Sequence, residues 1–463
     1  MRISALEGRR VAIWGLGREG RAALTLLRSR LPAQALTVFC SVEESASLQG
    51  DAAITVCVDA PDVDTLAAFE IVIKSPGISP YHAPAPEAAV RGVQFTSGTA
   101  LWFAEWQSWP DRPKVAVITG SKGKSTTTAL VTHLLRAGGH RVLLAGNIGL
   151  PLLETIDDLA KADFCVIELS SYQAGDALRP DVALLLNLYP EHLDWHGSVD
   201  AYYDDKCRLL TQARPGVALA PLQSPDVAAR VGQVAGLRDL SQQAWQVHAV
   251  HIVRNGQPML DCADLPLPGA HNARNLCAAL AVIDALGVNA TDLLPAVCTF
   301  RPLPHRLQTL GDAEGIRCVN DSISTTPHAS LAALAHFAES TVALLVGGFD
   351  RGLDWSDFVA AMGQQPPKAI IGISAQGARI IDALRAAAVK AELHSVADLP
   401  AAVAVGRHCL ARAPVNGERV LLLSPGAPSF GAYRDYAERG RHFAALNGFD
   451  PARTGQIDGL GLA

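Results

Sequence analysis

The chain has 463 residues, which is long enough for about two to four domains with a large buried core. Its 39 basic and 45 acidic side chains give a net charge of -6, and no basic stripe is present, so a nucleic-acid-binding protein is not expected. No apolar run reaches the roughly 18 residues that a membrane span requires, and no membrane association is expected. The N-terminus shows neither an apolar signal segment nor a cleavage site, which predicts a cytoplasmic protein.

The nine cysteines are scattered between Cys40 and Cys409, and no two of them form a C-x-x-C pair. This pattern predicts neither a disulfide framework nor a zinc site. Most of these cysteines are therefore expected to be small buried side chains in a reducing compartment.

Short apolar strands alternate with Gly-containing turns and Ala/Leu-rich helices along the whole chain. Examples are the predicted strands at residues 11–14, 115–118 and 341–346, each of which precedes a helical segment. Such alternation is typical of parallel sheets that are covered by helices. The sequence therefore predicts an α/β protein.

Two positions in the sequence suggest domain boundaries. The first is the Pro-containing, partly polar segment 102–113, and the second follows Pro304-His305-Arg306, where a new strand begins. These boundaries predict three domains of ordinary size. The predicted domains span residues 1–108, 109–309 and 310–463.

The first predicted turn reads Gly15-Leu16-Gly17-Arg18-Glu19-Gly20 and lies between a strand and a helix. This spacing fits a dinucleotide-binding turn, although the pattern alone is weak. An NAD enzyme also needs an acidic residue after the second strand, and here that strand, residues 36–39, is followed by Cys40 and Ser41. The sequence therefore disfavours an NAD dehydrogenase. It leaves open a nucleotide diphosphate carried by the substrate, or a purely structural turn.

The segment 114–127 predicts a nucleotide triphosphate site. A buried strand, residues 114–119, is followed by Gly120-Ser121-Lys122-Gly123-Lys124-Ser125-Thr126-Thr127 and then by a helix. The glycines and the helix start direct backbone N–H groups at phosphate oxygens, Lys124 reaches the outer phosphates, and Ser125 or Thr126 can bind Mg²⁺. The spacing G-x-x-G-K-[ST] is shorter than the usual P-loop, but the strand and helix around it are the required context.

A second strand, residues 163–168, ends in the carboxylate of Glu168. Side chains at the carboxyl ends of parallel strands meet at one edge of a sheet, where ligands bind. The sequence therefore offers Glu168 as a ligand for the metal ion that accompanies the triphosphate, with a solvated strand end as the alternative.

Taken together, these segments resemble the Mur ligase family, whose members are ATP-dependent amide-forming enzymes of peptidoglycan precursor synthesis. The resemblance covers almost the whole chain in order, and within the family it is closest to the branch that joins glutamate to muramoyl-alanine. The segments that carry it are the phosphate loop with Ser121 and Lys122 in place of Thr and Asn, Glu168-Leu169-Ser170-Ser171-Tyr172-Gln173, Asn187 with Glu191-His192-Leu193-Asp194, Lys206, His271-Asn272-Ala273-Arg274-Asn275, Pro304-His305-Arg306, Asn320-Asp321-Ser322, and Ser424-Pro425-Gly426-Ala427-Pro428-Ser429-Phe430.

The resemblance implies three domains: an N-terminal Rossmann-like domain for a UDP-linked substrate, a central P-loop ATPase domain and a C-terminal Rossmann-like domain for the amino acid. It implies ATP and Mg²⁺ as cofactors, and Lys124, His192 and a carbamylated Lys206 as catalytic residues. The implied metal ligands are Ser125, Glu168, His192 and Lys206. The implied ATP-binding residues are Gly120, Ser121, Lys122, Gly123, Lys124, Ser125, Thr126, Asn272, Asn275, Arg306 and Asp321. The implied substrate-binding residues are Gly15, Gly17, Gly20, Asn147, Ser170, Gln173, Arg351, Ser429 and Tyr436.

The resemblance implies ligation of glutamate to UDP-N-acetylmuramoyl-L-alanine through an acyl phosphate, by a monomeric enzyme. Three alternatives stay open: the same reaction with D-glutamate, a folylpolyglutamate synthase-like ligase, and a nucleotide-dependent switch without ligase chemistry. The complete N-terminal α/β segment disfavours a folate enzyme, because those enzymes begin directly with the ATPase domain.

The third domain departs from its closest relatives at two lysines. Ile323 replaces the lysine of D-S-K-A-T-N, and Arg351 stands where the family carries a later lysine. An isoleucine cannot pair with a carboxylate, and a guanidinium binds a carboxylate in a different geometry from an ammonium group. These changes favour the branch that adds L-glutamate over the branch that adds D-glutamate.

Overall fold

The computed structural model describes residues 1–48, 51, 53–266, 269–301, 303–350, 352–413 and 417–454. The chain divides into two compact units, Met1–Phe300 and Arg301–Ala463. The first unit holds two large parallel sheets, and the second unit holds one large sheet. The fold is therefore mixed α/β, and the two domain boundaries drawn from the sequence remain a prediction.

The first sheet of unit 1 is built from five parallel strands in the order β3-β2-β1-β4-β5. The chain leaves β1 for β2 on one side and returns to β4 on the other, so β1 and β4 flank the point where the strand order reverses. Ligands of open α/β sheets bind at such a point. The strands are β1 (Val11–Trp14), β2 (Leu36–Phe39), β3 (Ile54–Cys57), β4 (Ile71–Lys74) and β5 (Gln94–Thr96), and the helices are α1 (Arg18–Arg30), α2 (Val42–Ser45), α3 (Val63–Ala67), α4 (Ala85–Val90) and α5 (Gly98–Gln107).

The second sheet of unit 1 has six parallel strands in the order β11-β10-β9-β6-β8-β7. Strand β6 lies near the centre, and the loop at its carboxyl end opens at the middle of the sheet edge. The strands are β6 (Lys114–Thr119), β7 (Val142–Gly146), β8 (Phe164–Glu168), β9 (Val182–Leu185), β10 (Val217–Ala220) and β11 (Leu237–Asp239). A three-stranded antiparallel sheet follows, with β12 (Trp245–His248), β13 (His251–Arg254) and β14 (Gln257–Asp261).

Helices cover this sheet on both sides of the β6 loop. They are α6 (Lys124–Ala137), α7 (Leu193–His196), α8 (Val199–Thr211), α9 (Pro225–Val231) and α10 (Ala270–Ala285). Short 3₁₀ segments of unit 1 are Ile3–Leu6, Ala46–Leu48, Leu152–Lys161, Ala174–Asp176, Leu240–Gln242, Cys262–Asp264 and Ala290–Thr299.

The sheet of unit 2 has six strands in the order β15-β16-β20-β17-β18-β19, and β15 alone runs antiparallel to its neighbour. The strands are β15 (Gln308–Ala313), β16 (Ile316–Asn320), β17 (Thr341–Val346), β18 (Ala369–Ile373), β19 (Glu392–Val396) and β20 (Arg419–Leu423). The helices are α11 (Pro327–Ala335), α12 (Ser356–Gln364), α13 (Ser374–Ala386), α14 (Leu399–Ala411), α15 (Tyr436–Leu446) and α16 (Pro451–Thr454). None of the described helices has both the length and the apolar character needed to cross a bilayer.

Helix α5 contributes buried aromatic side chains to a core that the two large sheets of unit 1 share. Trp102 and Trp106 are fully buried, and their rings stack at 6.0 Å. They belong to one hydrophobic core that also contains Ile13 of β1 and Val115 of β6. Helix α5 ends at Gln107, directly before the boundary drawn after residue 108, so the aromatic side chains of residues 102–106 lie in this core and the boundary itself stays a prediction.

Candidate active site

The phosphate loop lies between β6 and α6, as the sequence predicts. Gly120 and Gly123 have φ angles of +149° and +83°, which disfavour residues with a side chain. A Cβ atom on Gly123 would lie 2.5 Å from Oδ1 of Asn275, and one on Gly120 would lie 2.9 Å from Cβ of Leu186. Both glycines are thus required for the loop to pass close to its neighbours, and α6 begins directly after Gly123.

The two residues that depart from the family loop bind other parts of the protein. Ser121 Oγ donates a 2.9 Å hydrogen bond to the carbonyl group of Tyr189 and accepts one of 2.8 Å from the Tyr189 N–H. Lys122 forms an ion pair with Glu191 through its side chain, and its backbone N–H donates to Asn187 Oδ1 at 2.8 Å. The side chains of Ser121 and Lys122, predicted to bind ATP, therefore fasten the loop to the segment 187–191.

The next three predicted residues stand at the start of α6. Lys124 Nζ donates a 2.9 Å hydrogen bond to the carbonyl group of Ser121, so its side chain folds back over the loop. Ser125 and Thr126 are both buried in the first turn. A cation and two hydroxyl groups at a helix N-terminus form a suitable environment for phosphate oxygens and their counter-ion.

Glu168 ends β8 and is completely buried beside the loop. Its Oε1 accepts a 2.8 Å hydrogen bond from Asn147 Nδ2, whereas its Oε2 has no hydrogen-bond partner among the described residues. A buried carboxylate oxygen without a partner is costly, and such groups call for an explanation. A bound divalent cation would satisfy this oxygen, so the residues present fit Mg²⁺ at this position.

Lys206 lies on α8 and is also buried, with 2% of its surface exposed. Its Nζ donates a 2.9 Å hydrogen bond to the carbonyl group of Gly120 and lies 5.0 Å from the ring centre of Tyr202. Burial lowers the pKa of Lys206 well below its ordinary value, and the nearby charge of Lys124 lowers it further. A larger share of this amine is therefore neutral than in an exposed lysine.

His192 precedes α7 and has a left-handed backbone with φ of +54°. Its imidazole contacts the ring of Tyr172, with the ring centres 5.3 Å apart. Burial lowers the pKa of His192, while Glu191 opposes the shift and Lys206 adds to it. The imidazole is therefore mostly neutral at pH 7, which is the form that binds metal ions.

Of the two predicted ATP-binding asparagines of α10, Asn275 contacts the loop and Asn272 lies beside Asn275. Asn275 Oδ1 is the atom that excludes a side chain at Gly123, and Asn275 Nδ2 lies 3.3 Å from Oδ1 of Asn272. The structure thus brings together, within unit 1, the phosphate loop, Glu168, His192, Lys206 and the two asparagines.

The N-terminal glycine turn opens at the carboxyl end of β1. A Cβ atom on Gly20 would overlap the carbonyl oxygen of Gly15, whereas a Cβ atom on Gly17 would meet nothing within 4 Å. Gly15 has φ of +89°, and its carbonyl group accepts a 2.8 Å hydrogen bond from Ser75 Oγ. Gly15 and Gly20 therefore have packing roles, and Gly17 leaves open space above the turn.

Two predicted substrate residues bind each other. Ser170 Oγ donates a 2.8 Å hydrogen bond to Gln173 Oε1, and Gln173 Nε2 lies 3.3 Å from Thr99 Oγ1. Gln173 is buried, so its amide links the end of β8 to the start of α5. The third predicted residue of this group, Asn147, is the donor to Glu168 described above.

Unit 2 holds the other predicted residues. Asp321 is buried, and its carboxylate accepts hydrogen bonds from Ser424 Oγ at 2.7 Å, from the Leu307 N–H at 3.0 Å and from Ser324 Oγ. Burial raises the pKa of Asp321, and these donors oppose the shift. Arg306 lies close enough to Asp321 to lower that pKa through its charge.

The predicted amino-acid residues of unit 2 follow β20. Ser429 is buried, and Tyr436, which begins α15, is exposed with its ring 5.9 Å from that of His305. Arg351 lies outside the described residues. Arg439, three residues after Tyr436, donates to the carbonyl groups of Ser322 at 2.8 Å and Ala427 at 3.0 Å. Sequence reasoning missed this buried arginine, although its helical spacing from Tyr436 is a usable signal.

Sequence reasoning also missed Tyr202, which lies four residues before Lys206 on α8. Its hydroxyl group lies 2.8 Å from Ser121 Oγ and 3.4 Å from Glu191 Oε2. Residues four apart share one face of a helix, so the position of Lys206 alone indicates that Tyr202 faces the loop.

The nine cysteines are free thiols. Glu392, His394 and Cys409 of unit 2 bring their ligand atoms within 4.8 Å of one another, a mixed cluster that the cysteine spacing does not reveal. Glu392 is already paired with Lys368 at 2.7 Å, so the cluster is satisfied by the protein itself.

Comparisons with known proteins agree with this geometry. A family model described as "Mur ligase middle domain" matches residues 118–283. The chain is 54% identical to a UDP-N-acetylmuramoyl-L-alanine–L-glutamate ligase of Xanthomonas axonopodis pv. citri and 52% identical to one of Xylella fastidiosa (strain Temecula1), with all of both chains covered in each case. Its fold is similar to the crystal structure of UDP-N-acetylmuramate-alanine ligase MurC from Thermotoga maritima, with a TM-score of 0.58, 18% identity and coverage of 94% of this chain and 98% of that one. The chain belongs to the Mur ligase family.

Proposed function

We propose that the protein joins L-glutamate to UDP-N-acetylmuramoyl-L-alanine and converts ATP to ADP and phosphate, as a step of peptidoglycan precursor synthesis. The observation that carries the proposal is the buried group formed by the Gly120–Gly123 turn, the unpartnered oxygen of Glu168 and the amine of Lys206. The full-length relatives named as L-glutamate ligases support the choice of substrates.

The reaction needs ATP because a carboxylate does not react with an amine at neutral pH, since oxide is too poor a leaving group. A carboxylate oxygen of the muramoyl-alanine attacks the γ-phosphorus, and the bond to ADP breaks. The amine of glutamate then adds to the acyl carbon of the acyl phosphate, loses a proton, and phosphate departs. Negative charge grows first on the phosphoryl oxygens and then on the acyl oxygen, and preorganised cations stabilise such charge.

In this proposal the backbone N–H groups of the loop and the amine of Lys124 bind the phosphoryl oxygens of ATP. Lys124 Nζ contacts the Ser121 carbonyl, so only a short movement of a flexible side chain directs it at a phosphate. Asn272 and Asn275 would bind the nucleoside, because Asn275 already touches the loop at Gly123.

We assign Mg²⁺ to Ser125, Glu168, His192 and a carbamylated Lys206. Bound Mg²⁺ supplies positive charge that neutralises the phosphate oxygens. The unpartnered Glu168 oxygen and the neutral imidazole of His192 support this assignment. A neutral amine can add to carbon dioxide, and the lowered pKa of Lys206 favours that form. A carbamate on this side chain converts a buried cation into an anion that suits a metal ion.

We assign the UDP-linked substrate to domain 1–108 with Gly15, Gly17 and Gly20, together with Asn147, Ser170 and Gln173 of the ATPase domain, residues 109–309. The amino acid is assigned to domain 310–463, with Ser429, Tyr436 and Arg351, and Arg306 and Asp321 are kept as proposed ATP-binding residues. We also propose that the enzyme acts in the cytoplasm as a monomer.

The preference for L-glutamate agrees with one feature of unit 2. Ile323 stands where the D-glutamate branch carries a lysine, and its half-buried side chain offers no partner for a carboxylate. When the amine is held in one place, the two enantiomers of glutamate direct their side-chain carboxylates differently. The loss of the lysine at this position is therefore compatible with a change of enantiomer.

The test measures phosphate release with UDP-N-acetylmuramoyl-L-alanine and each enantiomer of glutamate in turn. We expect release that depends on both substrates and that is at least about tenfold faster with L-glutamate. A preference for D-glutamate would disprove the choice of enantiomer and leave the ligase assignment intact. ATP hydrolysis that ignores both substrates would indicate a nucleotide switch.

A further inference from the structure

A buried carboxylate next to Lys206 is bound by side chains from three separate elements. Asp205 accepts hydrogen bonds from Tyr81 OH at 2.6 Å and from His196 Nδ1 at 2.7 Å, and it forms an ion pair with Arg208 Nη1 at 3.0 Å. Only 4% of Asp205 is exposed. Hydrogen bonds to a buried carboxylate are among the strong ones, so this group holds its three partners firmly.

The second nitrogen of the histidine extends the network towards the metal-binding residues. His196 Nε2 lies 3.0 Å from Ser171 Oγ, and Ser171 follows Glu168 by three positions. His196 also ends α7, the short helix that begins after His192. The network Ser171–His196–Asp205 therefore touches the neighbours of Glu168, His192 and Lys206.

At its other end the network reaches the first sheet. Tyr81 belongs to the loop that follows β4, and this loop makes two more contacts with α7: Ser79 Oγ donates to the Trp195 carbonyl at 2.7 Å, and His82 Nε2 lies 2.9 Å from the Asp194 carbonyl. Trp195 is stacked on Tyr172, with the ring centres 4.4 Å apart. The loop 79–82 is thus fixed to α7 by polar contacts at two positions and, through Tyr81, to Asp205 of α8.

A cavity of about 290 Å³ lies along this junction. Trp14, which precedes the glycine turn, lines it together with Ile78, His82 and Trp195. The junction thus joins the glycine turn, where the first sheet would hold its ligand, to the segment that carries His192 and Lys206.

We propose that Tyr81, Asp205 and His196 are positioning residues that hold the loop 79–82 against α7, so that the muramoyl substrate bound at the first sheet presents its carboxylate to the phosphate loop. This inference rests on the proposed function. It assigns a role to His196, which the sequence motifs leave without one, and to Tyr81 and Asp205, which lie outside all of those motifs.

The arrangement has a chemical reason beyond packing. Burying a carboxylate is unfavourable unless several donors satisfy it, and apolar side chains of similar volume stabilise a junction at least as well. A polar network instead specifies one geometry, because each hydrogen bond is directional. A fixed geometry matters most where two reacting groups must be aligned, since small displacements reduce reaction rates steeply.

The experiment measures calorimetric binding of UDP-N-acetylmuramoyl-L-alanine to the full chain, without ATP and without Mg²⁺. Tyr81→Phe removes only the hydroxyl group from a partly exposed ring, and we expect about tenfold weaker binding with an unchanged Tm. Asp205→Asn should weaken binding by a similar factor. The loss of binding free energy in the double variant should be smaller than the sum of the two single losses, because both changes remove the same contact.

Tyr203→Phe is the matched control, since it removes a hydroxyl group from a tyrosine of α8 whose ring packs on Arg230. Its binding should equal that of the wild type. The KM for ATP should stay within about twofold in Tyr81→Phe, while kcat falls together with the affinity for the muramoyl substrate.

Unchanged binding in Tyr81→Phe would overturn the inference, and so would weaker binding accompanied by a matching fall in Tm or shared by Tyr203→Phe. Wild-type protein that fails to bind the UDP-muramoyl compound would instead overturn the proposed function, and the inference with it.

Discussion

Lys206 Nζ donates a 2.9 Å hydrogen bond to the carbonyl group of Gly120, the first residue of the phosphate loop. This contact ties α8 to the loop, so a change at position 206 reaches the triphosphate site without any large movement. The lysine also lies within electrostatic range of Lys124, Glu191 and Glu168. Its chemical state therefore sets the charge balance of the whole group.

We predict that Lys206→Ala is nearly inactive and that bicarbonate or short-chain carboxylic acids partly restore its activity. The reason is that a small carboxylate can occupy the space of the missing carbamate. Steady-state phosphate release, measured with and without added formate or acetate, checks the prediction. Lys206→Arg is the matched variant, because a guanidinium does not form a carbamate, and full activity in it would rule out the carbamate.

We predict that Lys124→Ala reduces kcat by a factor on the order of 10² or more, because a cation directed at a developing phosphoryl charge is lost. Lys122→Ala is the control two residues away. Its side chain is exposed and paired with Glu191, so its effect should be several times smaller. Equal losses in the two variants would show that position 124 has no special role.

Two of the glycines of the N-terminal turn should respond in opposite ways when each is replaced by alanine. Gly20→Ala should destabilise the protein by about 1–3 kcal/mol or more, since the new methyl group overlaps the Gly15 carbonyl oxygen. Gly17→Ala should leave Tm unchanged and weaken binding of the UDP-linked substrate, because it fills open space above the turn. Thermal unfolding and calorimetric binding of both variants distinguish packing from ligand contact.

Glu19 predicts a pH dependence of stability. Burial raises the pKa of Glu19 to about 7, although Arg18 opposes the shift, and its Oε2 has no hydrogen-bond partner among the described residues. In the unfolded chain the Glu19 carboxyl group loses its proton near pH 4.5. Between pH 4.5 and 7 the folded protein therefore holds more protons than the unfolded chain. The contribution of Glu19 is therefore most stabilising below pH 4.5 and is lost as the pH rises through 7.

Glu19→Gln removes this titration. From pH 5 to pH 8 the wild type should lose stability that the variant keeps. The unfolding free energy of the variant minus that of the wild type should therefore increase over this range. Chemical denaturation at several pH values measures it, and a difference that stays constant across this range would contradict a raised pKa.

Local patterns predicted much of the fold and of the site. The strand 114–119 and the helix after it match β6 and α6, and the strand at 36–39 matches β2. These segments are readable because burial on both faces, glycine turns and helix starts leave signals within a few residues of one another. Glu168 was identifiable for the same reason, since it ends a buried strand of the same sheet.

Contacts between distant segments were not predictable from such patterns. Tyr81 and Asp205 are far apart in the chain, and nothing in the periodicity around either residue indicates the other. The boundary drawn after residue 108 follows the end of α5 at Gln107, but no local pattern showed that the aromatic side chains of this helix belong to a core shared with both large sheets. The partners of Ser121 and Lys122 could not be foreseen either, since three strands, β7, β8 and β9, separate the loop from the segment 187–191 in the chain.

The common core around Trp102 and Trp106 also bears on the order in which the protein folds. The α5 rings belong to one hydrophobic core that also holds residues from both large sheets of unit 1, including Ile13 from the first and Val115 from the second. During synthesis the first sheet therefore emerges with one side of α5 still exposed to water, until β6 and its neighbours have left the ribosome. A truncated chain ending at residue 108 would keep that aromatic surface uncovered. We therefore expect the first two predicted domains to fold as one cooperative unit.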